Sequence, residues 1–158
     1  MSMHRLITGT FVALGLTLAT AAGAKAEDAH SHEGADGTEL VLNNGAKWET
    51  DDPLRTGMAG LRDDIAAALP QIHDGAFTPA QYAELAGKVD GRIQYLVENC
   101  KLSPEADEQL HVVLVEIMDG AEAMKGESGQ MQGAVKIVQA LKLYPDYFDH
   151  PGWAPLGH

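Results

Sequence analysis

Beyond residue 50, apolar positions recur every three or four residues, the period of α-helices that bury one face. Four segments keep this spacing over several turns, while the alternation typical of β-strands is nearly absent. Because only short connections separate these segments, each helix must fold back along the one before it. The pattern predicts an all-α fold, an antiparallel up-down-up-down four-helix bundle with a disordered N-terminal leader.

The predicted helix starts are marked by a capping residue followed by proline. Asp52 and Pro53 open the first helix, which Pro70 is expected to kink or to end one turn early. The same arrangement opens the second helix at residues 78–81 and the third at residues 103–105. The boundaries of three helices are therefore predicted from local chemistry as well as from periodicity.

The fourth helix follows a glycine-containing break at residues 126–129, and Pro145 is expected to interrupt it before an aromatic cluster. The spacing also predicts which face of each helix is buried. These faces consist of Leu54, Met58, Leu61, Ile65, Ala68 and Ile72; Tyr82, Leu85, Val89, Ile93, Leu96 and Cys100; Leu110, Val113, Leu114, Ile117, Ala121 and Met124; and Met131, Ala134, Val135, Val138 and Leu141.

Residues 1–26 have the organisation of a secretory signal peptide, with a basic start, an interrupted apolar run and the sequence Ala-Lys-Ala at the end. A retained membrane anchor is the alternative, but glycines and threonines interrupt the run. Residues 27–47 are predicted to form a flexible, acidic, histidine-containing leader, and residues 48–158 the bundle. We therefore expect a periplasmic protein with no membrane span after cleavage.

Charge narrows the range of partners. The chain has a formal net charge of −12, which becomes −14 when the predicted cleavage removes two basic residues and no acidic ones. Nucleic acids and anionic membrane surfaces would be repelled by this charge. The balance favours cations or a basic periplasmic protein as partners, and a homodimer through the helix faces is a further hypothesis.

Cys100 is the only cysteine, so the chain has no internal disulfide. In an oxidising compartment such a thiol is buried, paired with another molecule, or bound to a metal. The predicted topology brings Met58, Cys100, His111 and His150 to one end of the bundle. Thiolate, imidazole and thioether ligands favour copper, and zinc competes if a second imidazole replaces the thioether. His30 and His32 in the leader form a weaker candidate metal site.

Ordinary packing is the alternative interpretation, since buried cysteine and methionine are common in protein cores. The opposite end of the predicted bundle collects His73, Tyr82, Met124 and Met131, which we interpret as core and loop residues. No paired carboxylates, nucleophile or general base lie on the predicted core face. The sequence therefore does not indicate an enzyme.

Two motifs suggest a resemblance. Met58 lies early in the first helix, in PLRTGMAGLRDDI, and His150 lies at the end of the fourth, in YPDYFDHPGW. The chain resembles the soluble periplasmic b-type and c-prime cytochromes, and in the b-type family residues at these two positions ligate haem. The resemblance implies haem b held by Met58 and His150, while the absence of CxxCH excludes covalent haem attachment.

The leading hypothesis is a copper-binding protein that acts in copper handling or one-electron transfer. A haem b protein and a metal-free interaction module are the alternatives.

Overall fold

The computed structural model describes residues 39–157. The predicted signal peptide, most of the predicted leader, and His30 and His32 lie outside the described residues.

Four helices make up most of the described chain, which confirms an all-α fold with four helices. They are α1 (Asp52–His73), α2 (Pro79–Asn99), α3 (Pro104–Lys125) and α4 (Gln130–Tyr147). The sequence analysis did not predict a pair of short parallel strands, β1 (Trp48–Glu49) and β2 (Phe148–Asp149), in which Trp48 is the partner of Phe148. This strand pair joins the chain just before α1 to the chain just after α4.

The helix starts are as predicted, with one shift. The N-cap of α1 is Asp51, one residue earlier than expected, and its carboxylate accepts the Leu54 N–H at 2.7 Å. At α2, Thr78 and Gln81 form the predicted capping box, in which each side chain accepts the other residue's backbone N–H. At α3, the Ser103 hydroxyl accepts the Ala106 N–H at 3.2 Å. These caps satisfy backbone donors that a helix leaves without partners.

Both helical prolines are accommodated within their helices. α1 continues through Pro70 to His73, so the expected early end is not observed. α4 continues through Pro145 to Tyr147, so the prediction that Pro145 interrupts it is wrong. Each proline lies near the end of its helix, where the missing N–H costs one hydrogen bond and later residues still close the turn. The Asp74 N–H, for example, donates to the Pro70 carbonyl at 3.1 Å.

Each helix packs against the next one in the sequence, and these contacts are much more extensive than the contact between α1 and α4. The closest approach lies between α3 and α4. A Cβ atom at Gly133 would stand 2.5 Å from the Gly120 carbonyl oxygen, and one at Gly120 would stand 2.7 Å from the Gly133 carbonyl oxygen. Only glycine at both positions permits this contact between backbones.

The predicted core faces of α1, α2 and α3 are buried, with Cys100 partly buried at the end of its stripe. The predicted face of α4 is wrong in part, because Met131 and Val135 are 49% and 46% exposed. Gly133 and Ile137 are buried instead. α4 is apolar around much of its circumference, so periodicity did not define its orientation, and the contact between Gly133 and α3 does.

The described residues that precede β1 contact α3. The Val41 N–H donates to the Gln109 side chain at 2.8 Å, and the Trp48 indole N–H donates to the Val41 carbonyl at 2.7 Å. Asn44 and Gly45 form a tight turn with φ values of 51° and 87°. Gln109, which is only 5% exposed, thereby gains a partner for its side-chain oxygen. Residues 39–47 belong to the predicted leader, yet they are hydrogen-bonded to the domain.

Candidate functional site

The chain after β2 forms the first part of the candidate site. We call residues 150–157 the C-terminal strap. A turn in which the Trp153 N–H donates to the His150 carbonyl at 3.1 Å starts the strap. The Arg62 guanidinium of α1 lies 5.3 Å from the centroid of the Trp153 ring, and Leu156 is buried. The strap therefore packs along α1.

An aromatic cluster connects the strap to α4. Tyr144, which is fully buried, stacks on Phe148 with ring centroids 5.1 Å apart. Its ring also lies 5.8 Å from that of His150 and 5.0 Å from that of Trp153. The Tyr144 hydroxyl and His150 Nδ1 are hydrogen-bonded at 3.1 Å. The imidazole is thus held in a fixed position beside a buried phenol.

The environment favours the neutral forms of both members of this pair. Burial raises the pKa of Tyr144, and the neighbouring Cys100 raises it further. Burial lowers the pKa of His150, and the positive charges of Arg55 and Arg62 lower it further. Withdrawal from water penalises the charged state of each group. A neutral imidazole retains the lone pair that a metal ion requires.

Cys100 is the C-cap of α2 and lies next to this cluster. Burial raises the pKa of its thiol to about 11, with further contributions from the negative charges of Asp51 and Asp107. Asp51 has three functions here: it caps α1, it accepts the Lys101 N–H at 2.7 Å, and it places negative charge near the thiol. In the absence of a metal the thiol is therefore protonated at neutral pH.

The four predicted ligands lie in different environments. Cys100 and His150 are both neighbours of Tyr144, so the structure brings them to one region. Met58 is fully buried in α1. His111 is exposed on α3, one turn after Asp107, and no hydrogen bond in the described part of the chain joins it to Cys100. Among residues 39–157, no cluster of three or more His, Cys, Asp or Glu side chains is arranged to hold a metal ion.

The sequence analysis missed two residues of this region. Tyr144 was given no function, although it continues the spacing of Ile137 and Leu141. It is hydrogen-bonded to His150, and its pKa is raised by burial and by Cys100. Asp51 was passed over in favour of Asp52 as the cap. Its position three residues before Leu54 is the signal that could have identified it.

Comparisons with known proteins do not assign the chain. No family model matches it, and the comparisons with curated proteins and with solved structures found no match. Within residues 39–157, no helix combines the length and the apolar character that a membrane span requires. The resemblance to periplasmic cytochromes stays a prediction.

Proposed function

We propose that the chain is an exported, periplasmic copper-binding protein that acts in copper handling or one-electron transfer and is not an enzyme. We also propose that its helices form the up-down-up-down bundle predicted from the sequence. Pairs of contacts at different levels support antiparallel neighbours. Gly57 of α1 lies close to Leu96 of α2, whereas Asp64, later in α1, pairs with Arg92, earlier in α2, at 2.8 Å. Likewise, Gly133 of α4 lies close to Met124 of α3, whereas Lys136, later in α4, pairs with Asp119, earlier in α3, at 2.8 Å. In such a bundle the end of α2, the start of α1 and the end of α4 are close together.

The observation that carries the copper proposal is the environment of Cys100. The Asp51 and Asp107 carboxylates disfavour a thiolate there, and the same negative charges favour a bound cation. A metal ion that replaces the thiol proton would relieve the repulsion between the sulfur and these carboxylates. His150, which is hydrogen-bonded to Tyr144, is a candidate imidazole ligand.

The donor set fits copper(I) better than zinc. Zinc in structural sites takes four ligands, usually cysteine and histidine. Copper(I) is satisfied by fewer soft ligands, including thioethers. In this proposal Cys100 is the anchoring ligand, His150 and Met58 are ligands from the protein interior, and the exposed His111 is a ligand from the solvent side. The bound ion would supply a redox centre or a cargo, and the protein would supply burial and negative charge.

The haem alternative uses Met58 and His150 without Cys100. It has less support, because the His150 ring already packs against Tyr144 and Trp153, with centroids 5.8 Å and 5.0 Å away. A haem would have to displace one of these rings to reach the imidazole. Reconstitution with haem followed by a search for a Soret band tests this alternative.

Copper(I) titration of the purified protein against a chromophoric chelator, under reducing conditions, tests the proposal. We expect Cys100→Ala to weaken binding by about a hundredfold or more, since it removes the anchoring thiolate. Asp51→Asn keeps an oxygen that can cap α1 but removes one negative charge, so we expect about a three- to tenfold loss.

His73→Gln is the matched control, since His73 is exposed at the other end of α1. If Cys100→Ala binds copper(I) as tightly as the parent, the proposal is wrong. Elemental analysis of the protein purified from its native periplasm separates the three hypotheses. It would report copper, iron, or neither, and the last result would favour a metal-free interaction module.

A further inference from the structure

The interface between α1 and α4 is closed at one end only. Near the candidate site, the C-terminal strap covers this interface with Trp153 and Leu156. Towards the other end, a groove of about 560 Å³ lies between the two helices. Leu69, Ile72 and His73 of α1 line one side, and Met131, Val135 and Val138 of α4 line the other. Gly157, at the end of the strap, also lines the groove. We call this feature the α1–α4 groove.

The α4 wall of the groove is a continuous apolar stripe. Met131, Val135 and Val138 follow one another at helical spacing, and Lys142 continues the same stripe. Met131 is 49% exposed and Val135 is 46% exposed, although both lie on a helix with a well-packed opposite face. Large apolar side chains that line a concavity are typical of a binding site.

The charge of the α1–α4 groove is opposite to that of the chain. The chain has 23 acidic and 11 basic residues, yet no acidic residue lines the groove. Lys142 lies at its edge and makes no ion pair with any residue in the described part of the chain. Asp74 lines an adjoining recess that shares Leu69, His73 and Gly157 with the groove. An apolar groove with one cation at its edge complements a ligand with an apolar tail and an anionic head.

We propose that the α1–α4 groove binds a single-chain amphiphile with an anionic head, of the alkyl carboxylate class. Its tail would lie along Leu69, Ile72 and Val135, and its carboxylate would pair with Lys142. The volume falls within the range of about 300–1,000 Å³ that small-molecule sites occupy. The groove's apolar lining residues, spaced along two helices, suit an unbranched tail.

Charge also favours this ligand over a second copy of the chain. A symmetric dimer through this groove would place the same surface on both sides of the interface. Each copy would contribute Lys142 and no carboxylate from the groove lining, so the two lysines would remain without partners. An alkyl carboxylate supplies the missing negative charge.

Isothermal titration calorimetry of the full, metal-free protein with sodium dodecanoate, below its critical micelle concentration, tests the proposal. We expect saturable binding of one dodecanoate per chain. Dodecyltrimethylammonium has the same tail and a positive head, and we expect it to bind about fivefold more weakly or not at all, the factor that one exposed ion pair supplies.

Two pairs of variants locate the site. Val135→Glu introduces a like charge into the apolar wall and should weaken dodecanoate binding by about tenfold or more. Val97→Glu is its matched control, since Val97 is 73% exposed on α2 and does not line the groove. Lys142→Gln should weaken dodecanoate about three- to fivefold without changing the binding of dodecyltrimethylammonium. Lys88→Gln on α2 should leave both affinities unchanged.

Three results would overturn the proposal. The first is an absence of saturable dodecanoate binding to the folded parent protein. The second is an equal loss of binding in Val135→Glu and Val97→Glu, which would place the ligand elsewhere. The third is a dimer, observed by analytical ultracentrifugation, that Val135→Glu dissociates and dodecanoate does not, because the groove would then be covered by a second copy. None of these results depends on copper binding.

Discussion

The interfaces that α4 forms with α3 and with α1 differ in how closely the helices approach each other. Against α3, the backbones meet at Gly120 and Gly133, where a Cβ atom would stand 2.5–2.7 Å from a carbonyl oxygen. Against α1, direct contacts are few, and the interface is covered by the C-terminal strap at one end and left as a groove at the other. One helix therefore has a closed side and an open side.

This difference indicates different roles. The α3–α4 interface contributes to stability, and the α1–α4 side carries groups that could bind a ligand. The closed α3–α4 interface contains no titratable side chain at its point of closest approach, and its contribution is packing. The open side carries the strap with His150, whose pKa is lowered by burial, together with the groove and its Lys142. Side chains that bind ligands need space that a backbone contact would remove. The close packing of α3 against α4 holds the α4 side of the groove in place.

The largest expected effect lies in the closed interface. Gly133→Ala should lower the free energy of unfolding by about 3 kcal/mol, because the added methyl group overlaps backbone atoms of α3 that cannot rotate away. Urea denaturation followed by circular dichroism measures the loss.

Gly91→Ala on α2 is the matched control, since nothing lies within 4 Å of a Cβ atom there. This variant should be more stable than the parent by about 0.5–1 kcal/mol, because alanine favours the helix. If both alanine variants behave alike, the α3–α4 contact is not as close as described.

The next effect concerns the strap on the open side. Trp153→Ala should lower the free energy of unfolding by about 2 kcal/mol, less than the 3–5 typical of a fully buried tryptophan, because Trp153 is partly exposed. The loss reflects contacts with Tyr144 and the Arg62 guanidinium. Trp153→Phe should lose less than half as much. A negligible loss in Trp153→Ala would show that the strap does not hold the α1–α4 interface together.

Sequence reasoning succeeded where the chain gives two independent signals. In α2, the capping box at Thr78 and Gln81 and the strict spacing from Tyr82 to Leu96 indicate the same helix with the same buried face, and both predictions are confirmed. The start of α3 at Ser103 is defined equally well. In these elements the contrast between apolar and polar positions is strong.

The prediction failed where apolar and polar positions do not separate clearly, or where a structure depends on residues that are far apart in the sequence. α4 has apolar residues on both its closed and its open side, so Met131 and Val135 were assigned to the core although an open groove exposes them. The β1–β2 pair joins Trp48 to Phe148 across almost the whole domain, and strands of two residues show no period. A local sequence pattern cannot reveal a contact between residues so far apart in the chain.

The same limit applies to the candidate site. Cys100 and His150 were predicted to share one end of the bundle, and both are neighbours of Tyr144. His111 was placed beside Cys100 because it lies at the edge of a core face, but the structure exposes it. The orientation of a residue at the edge of a helix face depends on small rotations of the helix. Periodicity cannot resolve these rotations.

A smaller effect is expected from pH on the open side. The pKa of His150 is lower in the folded protein than its usual value near 6.5, so protonation favours the unfolded state. The contribution of this group is fully present above about pH 6.5 and is lost as the pH falls through the lowered pKa. Stability should therefore decline more steeply between pH 7 and pH 5 in the parent than in His150→Gln.

His111→Gln is the control variant for this prediction, because His111 is exposed on α3. We expect this variant to follow the pH dependence of the parent in urea denaturation at several pH values. If His150→Gln follows the parent as well, the hydrogen bond between Tyr144 and His150 does not contribute to the pH dependence of stability.

The smallest expected effect is in the α1–α4 groove itself. Val135→Ser removes apolar surface from a side chain that is already 46% exposed, so the free energy of unfolding should change by less than about 0.5 kcal/mol. Ile137→Val, two residues away on the closed side, removes one methylene from a side chain that is fully buried and should cost about 1 kcal/mol. Ile137→Val, the more conservative substitution, would then lower the free energy of unfolding more than Val135→Ser. This inversion is expected only if Val135 faces open space, and a larger loss in Val135→Ser would mean that the groove is already filled by protein.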